Sequence, residues 1–85
     1  MKKGFYIGFC YSCHQGNVYI CKTTASGKQF LICEECDAEW ASPEDFQKKN
    51  MSKQSDDGPY EPLAKDEIID HKWKSFVLNK KELEN

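Results

Sequence analysis

Cys10-Tyr11-Ser12-Cys13 is followed, nineteen residues later, by Cys33-Glu34-Glu35-Cys36, and this pair of turns decides the reading of the chain. Two residues between cysteines let a tight turn aim both sulfurs at one point. A zinc ion takes four such thiolates in a tetrahedron at about 2.3 Å. The intervening segment must then bring the chain back to where it started. Residues 17–23 (Asn-Val-Tyr-Ile-Cys-Lys-Thr) and 28–32 (Lys-Gln-Phe-Leu-Ile) are rich in β-branched and aromatic residues and read as strands. Between them, Thr24-Ala25-Ser26-Gly27 supplies a turn, with Gly27 available for positive φ. At about 3.3 Å per residue, some eight residues out and eight back close the loop. Spacing, turn and strands agree on one structural zinc ion held by Cys10, Cys13, Cys33 and Cys36.

The length of the chain makes such a staple useful. Eighty-five residues read as a single domain, which buries only about 60 % of the surface its unfolded chain exposes. Five cysteines cannot all pair within one chain, which weakens a disulfide framework. Met1–Phe9 has the basic start of a signal peptide without its apolar stretch or cleavage site. No run of apolar residues is long enough to cross a membrane. A reducing cytoplasm is the expected setting, where Cys-x-x-Cys reads as metal-binding or redox. Iron in a rubredoxin-like site is an alternative. Rubredoxins space their pairs more widely, however, and place glycine after each knuckle, where this chain has His14 and Asp37. Thioredoxin-like chemistry needs a βαβ setting that the sequence does not offer. Cys21, mid-strand, reads as a small buried hydrophobe. His14 reads as a neighbour of the ligands, and His71 as a solvated side chain. Four thiolates leave no position for water, so the metal is expected to be structural, and no catalytic set is discernible.

Working outward, the sequence divides into a zinc-binding part over 4–41, a short helix over 42–50, a loop over 51–62, a C-terminal helix over 63–79 and a polar tail over 80–85. Gly4–Phe9 suits a strand entering the first knuckle, adding a third strand to the antiparallel hairpin. The hairpin carries apolar residues on both faces, so each face should be covered. Ser42 is placed to cap the short helix, with Pro43 in its first turn and Glu44 and Asp45 near its positive end. Asp57-Gly58-Pro59 breaks the chain in the loop. Ile69, Trp73 and Phe76 then recur at i, i+4, i+7, widened by Ile68 and Val77, which predicts an amphipathic helix packed on the hairpin. The fold class expected is small α+β.

Residues Phe9–Trp40, with their two Cys-x-x-Cys knuckles around a hairpin, resemble the zinc-ribbon superfamily. That resemblance implies fold and metal but no single function, since zinc ribbons serve in transcription factors, ribosomal proteins and protein-binding accessories. In style the whole chain also resembles short bacterial proteins that join one zinc ribbon to a helical tail. Some of these are regarded as immunity partners in toxin systems, including contact-dependent growth inhibition.

Charge separates the two functional classes this leaves. The chain has no arginine, and its net charge of −2 hides an asymmetry. Residues 1–30 carry four lysines and no acid, whereas Glu34, Glu35, Asp37, Glu39, Glu44 and Asp45 form a run without a base. That run is the candidate surface for a protein partner with a basic face, most sharply a toxic nuclease masked by an inhibitor. Trp40, Tyr6, Tyr11 and Tyr19 are candidate anchors. The alternative is a nucleic-acid-binding ribbon working through Lys2, Lys3, Lys22 and Lys28. Without arginine it lacks bidentate guanine readout and guanidinium stacking. No membrane or small-molecule substrate is implied.

Overall fold

The computed structural model describes residues 4–55 and 58–83. Its elements in chain order are β1 (Tyr6–Phe9), β2 (Asn17–Thr23), β3 (Gln29–Cys33), β4 (Glu39–Trp40), α1 (Pro43–Gln47), β5 (Tyr60–Pro62) and α2 (Lys65–Ile68), followed by 3-10 turns at Lys74–Phe76 and Lys80–Leu83. The five strands form one sheet in the order β1-β2-β3-β4, with β5 also paired to β2. All pairings are antiparallel. The result is a small α+β architecture built on the expected hairpin and its third, N-terminal strand. The hairpin turn closes through Thr23 and Lys28, and Gly27 adopts φ 76°.

The register of β2 on β3 sorts the side chains. Val18 lies opposite Cys33 and Ile20 opposite Leu31 on one face, while Tyr19 lies opposite Ile32 and Cys21 opposite Phe30 on the other. The first face forms the main core with Trp40, Leu63, Ile68, Trp73, Val77 and Leu83, so the C-terminal segment covers it. The second face holds a smaller core of Tyr19, Cys21, Phe30 and Ile32, rimmed by Tyr6 and Tyr60. The Tyr6–Tyr19 and Phe30–Tyr60 rings meet edge-on, with centroids 5.6 and 5.7 Å apart. Both faces of the hairpin are therefore covered.

The C-terminal segment packs on the sheet, but not as the continuous helix expected over 63–79. The α-helix stops at Ile68. The His71 amide donates to the Ile68 carbonyl (2.9 Å), the Lys74 amide to the His71 carbonyl (3.1 Å), and the Trp73 amide to His71 Nδ1 (3.0 Å). Bonds reaching back three residues, and a side chain that captures a backbone donor, replace the helical ladder. The inward-facing set changes accordingly. Ile68, Trp73 and Val77 are buried, Phe76 is half-buried, and Ile69 is 41 % exposed. The polar tail expected over 80–85 instead includes a 3-10 turn that buries Leu83. Residues 84 and 85 lie outside the described residues.

The 51–62 loop also contains β5, whose Tyr60, Glu61 and Pro62 pair with Thr23, Lys22 and Cys21. Prolines at 59 and 62 argue against a central strand but are tolerated on an edge. Asp57 of the predicted breaker lies outside the described residues. The short helix begins as read from sequence: the Asp45 amide donates to Ser42 Oγ (3.2 Å), and Pro43 opens the first turn. It ends at Gln47, where the Lys49 amide donates to the Phe46 carbonyl and the Asn50 amide to the Asp45 carbonyl, with Lys49 at φ 59°. This is a Schellman closure with lysine in glycine's usual place.

Candidate metal centre

Each knuckle is built by backbone before any metal is considered. In the first, the Cys10 amide donates to the Gly16 carbonyl (2.8 Å) and the His14 amide to the Cys10 carbonyl (3.1 Å). In the second, the Cys33 amide donates to the Ala38 carbonyl (2.9 Å) and the Asp37 amide to the Cys33 carbonyl (3.2 Å). Both turns finish on a left-handed residue, His14 at φ 58° and Asp37 at φ 63°. Glycine suits that position best, yet His and Asp are among the side chains enriched there. The two residues that set this chain apart from rubredoxin knuckles are thus conformationally competent at those positions.

β1 ends immediately before Cys10 and β3 ends on Cys33, so the sheet delivers both knuckles to one end of the hairpin. The four sulfurs lie within 4.8 Å of one another. Cys10 and Cys36 Sγ are 3.7 Å apart, and Cys13 and Cys33 Sγ 3.6 Å. A tetrahedron with zinc–sulfur bonds of about 2.3 Å has edges of about 3.8 Å. The cluster therefore fits a zinc ion, and no disulfide joins any of its members.

The cysteines differ in how readily they ionise. The backbone N–H of Gln15 holds the Cys13 thiol down at about 7, whereas burial pushes Cys33 up to about 12 and raises Cys36. The Glu35 amide, 3.4 Å from Cys33 Sγ, favours the thiolate there. A cation bound by all four sulfurs has to displace their protons, so affinity should rise with pH. Cys21 stands apart on the second face, with burial pushing its thiol to about 12. No family model, curated protein or solved structure matches the chain.

Two features around the cluster are not visible in the cysteine spacing. A Cβ at Gly16 would lie 2.9 Å from Cys33 Sγ and 2.7 Å from Glu35 Cγ, so the second knuckle closes directly over a glycine. In addition, Trp40 Nε1 donates to Tyr11 Oη (2.7 Å), and Tyr11, Trp40 and Phe46 pack with centroids 5.1 to 5.6 Å apart. This aromatic group ties the first knuckle to β4 and α1. The Gln15-Gly16 dipeptide and the position of Tyr11 inside its knuckle were the only sequence signals for either feature.

The acidic run does not act as one surface. Glu34, Glu35, Asp37 and Glu44 are exposed, with Glu34 Oε2 accepting from the Asn17 amide (3.0 Å). Glu39 is turned inward. Its Oε1 accepts from the amides of Gln54 (2.5 Å) and Ser55 (2.8 Å), and its Oε2 accepts from the Ser55 hydroxyl (2.7 Å). Asp45 is half-buried and accepts from Ser42 Oγ and Asn50 Nδ2 (3.3 Å each). Trp40 and Tyr19 are buried in the two cores, and Tyr6 and Tyr11 are half-buried against them. Of the candidate lysine patch, Lys22 forms an ion pair with Glu67 and Lys28 is exposed. Lys2 and Lys3 lie outside the described residues. Within those residues, no helix is long and apolar enough to cross a membrane.

Proposed function

We propose that the chain is a non-enzymatic zinc ribbon whose metal is structural and whose second knuckle presents an acidic face to a basic protein partner. The observation that carries this reading is the placement of Glu34, Glu35 and Asp37, exposed together on the loop that holds Cys33 and Cys36. Coordination by four thiolates fixes that loop and fills the tetrahedron, which leaves no open position for a reacting water. A cleft of about 470 Å³ lined by Asp37, Glu39, Met51, Ser52 and Lys53 lies beside the knuckle. There the aliphatic stem of a basic side chain can rest on Met51 while its charge faces Asp37. The sharpest form of the proposal is an immunity protein of a toxin system that masks the phosphate-binding surface of a nuclease in a bacterial cytoplasm. Nucleic-acid binding is less well supported, because the Lys22 ammonium is engaged by Glu67 and no arginine is present.

The test uses Glu35→Lys with Asp37→Asn. Among the described residues the Glu35 carboxylate accepts no hydrogen bond, and Asp37 is at φ 63°, a left-handed backbone that asparagine tolerates. Against the partner, or a basic nuclease encoded beside the gene, the double variant should associate more slowly and with weaker salt dependence while keeping its zinc. Tight, lysine-dependent binding of DNA or RNA at about 0.15 M salt, where non-specific binders show Kd values of roughly 10⁻⁴–10⁻⁶ M, would overturn the proposal.

A further inference from the structure

The four cysteines of the cluster are not equally shielded as residues. Cys10 and Cys33 are fully buried, Cys13 is half-buried, and Cys36 is exposed. Cys36 Sγ also has a near neighbour on the opposite knuckle, Cys10 Sγ, at 3.7 Å. Cys21, by contrast, has no exposed surface and lies in the core of the second face. We propose that Cys36 is the point at which a peroxide attacks the zinc-loaded protein, and that the resulting Cys10–Cys36 disulfide releases the metal. The inference rests on zinc occupancy of the cluster and not on the identity of any partner.

The chemistry balances without another reactant. The Cys36 thiolate attacks one peroxide oxygen, the O–O bond breaks, hydroxide leaves, and Cys36 becomes a sulfenic acid. The Cys10 thiolate then attacks the Cys36 sulfur, a second hydroxide leaves, and the disulfide forms. Two electrons pass from the two sulfurs to the peroxide, which ends as two hydroxides. The sulfurs have to close from 3.7 Å to about 2.05 Å for the disulfide to form. Once two of the four ligands carry no charge, Cys13 and Cys33 cannot complete a tetrahedron, and the ion leaves. Glu34 and Glu35 sit between Cys33 and Cys36, so the same event disorders the acidic knuckle.

The experiment treats the full-length, zinc-loaded chain with hydrogen peroxide in the presence of a chromophoric zinc chelator. In parallel, dimedone traps sulfenic acids for peptide mapping. One zinc should be released per disulfide formed, with the first dimedone adduct on Cys36, the disulfide linking residues 10 and 36, and Cys21 still reduced. Cys21→Ser should release zinc at the same rate, and a thiol reductant with added zinc should restore the starting metal content. Zinc retained after oxidation, a first adduct on Cys13, or oxidation of Cys21 before zinc loss would overturn the inference. A chain that carries no zinc before peroxide is added would overturn the metal assignment itself, which separates the two failures.

Discussion

An alanine at position 16 would place its Cβ 2.9 Å from Cys33 Sγ, closer than such contacts are found. The Gly16 backbone lies outside the left-handed region, so the conflict is with the sulfur and the Glu35 stem alone. Overpacking of this kind costs about 1–3 kcal/mol. Gly16→Ala should therefore weaken zinc binding roughly tenfold or more, as read by competition with a chelator, while the sheet stays folded at saturating zinc. Serine at any of Cys10, Cys13, Cys33 or Cys36 should abolish or severely loosen metal binding. Cys21→Ser should keep one zinc and lose only about 1–3 kcal/mol of stability, for a hydroxyl placed in an apolar site. Metal analysis of the five variants separates these outcomes, and zinc loss confined to Cys21→Ser would reverse the ligand assignment. Tyr11→Phe removes the acceptor for Trp40 Nε1, a fully buried residue, and should cost about 1–3 kcal/mol in urea unfolding.

At the level of elements, the metal knuckles, the hairpin, its turn and the start of α1 were legible because each is specified by local chemistry. Paired cysteines, β-branched runs, Gly27 and the Ser42-Pro43 cap need no tertiary information. The C-terminal segment was not. Its helical period reads well from Ala64 to Leu78, but His71 contributes an imidazole that bonds Trp73 behind it and Gln29 Oε1 on β3, at 2.5 Å through Nε2. β5 was hidden by Pro59 just before it and Pro62 at its end, and the inward turn of Glu39 by its position in an acidic run. Since Nδ1 accepts from the Trp73 amide, His71 is held neutral with its proton on Nε2, and burial followed by the Lys72 charge lowers its pKa below the usual 6.5. The unfolded chain therefore binds this proton first as pH falls. The stability the neutral ring contributes is complete above about pH 6.5 and is lost as pH drops through the lower folded value. Urea unfolding of the wild type should weaken over that window, and His71→Gln should remove this component of the slope. Glu39→Ala should free the loop from β4. We expect a loss of about 1–3 kcal/mol and faster hydrogen exchange at the Gln54 and Ser55 amides. Unchanged exchange there would show that the loop is held by something else.

For the whole molecule, two layers flank a sheet of short strands, and one cluster of sulfurs pins its end. Removing everything after Leu63 would strip Ile68, Trp73, Val77 and Leu83 from the main core and expose Val18, Ile20 and Leu31. A chain cut there should fail to fold even with zinc present. The metal matters on the same scale. Structural zinc in thiolate sites contributes roughly 10–16 kcal/mol of apparent binding free energy, against a net stability of about 5–15 kcal/mol for a small domain. In the proposed function the acidic face depends on this first step, because Glu34 and Glu35 lie between Cys33 and Cys36, two of the four cysteines placed to hold the ion. The most direct measurement is zinc content by elemental analysis alongside circular dichroism, before and after dialysis against EDTA at neutral pH. One zinc per chain, with loss of the β signal when the metal is withdrawn and its return on adding zinc, is the predicted result. A chain with less than half an equivalent of metal that keeps its fold in EDTA would contradict the account.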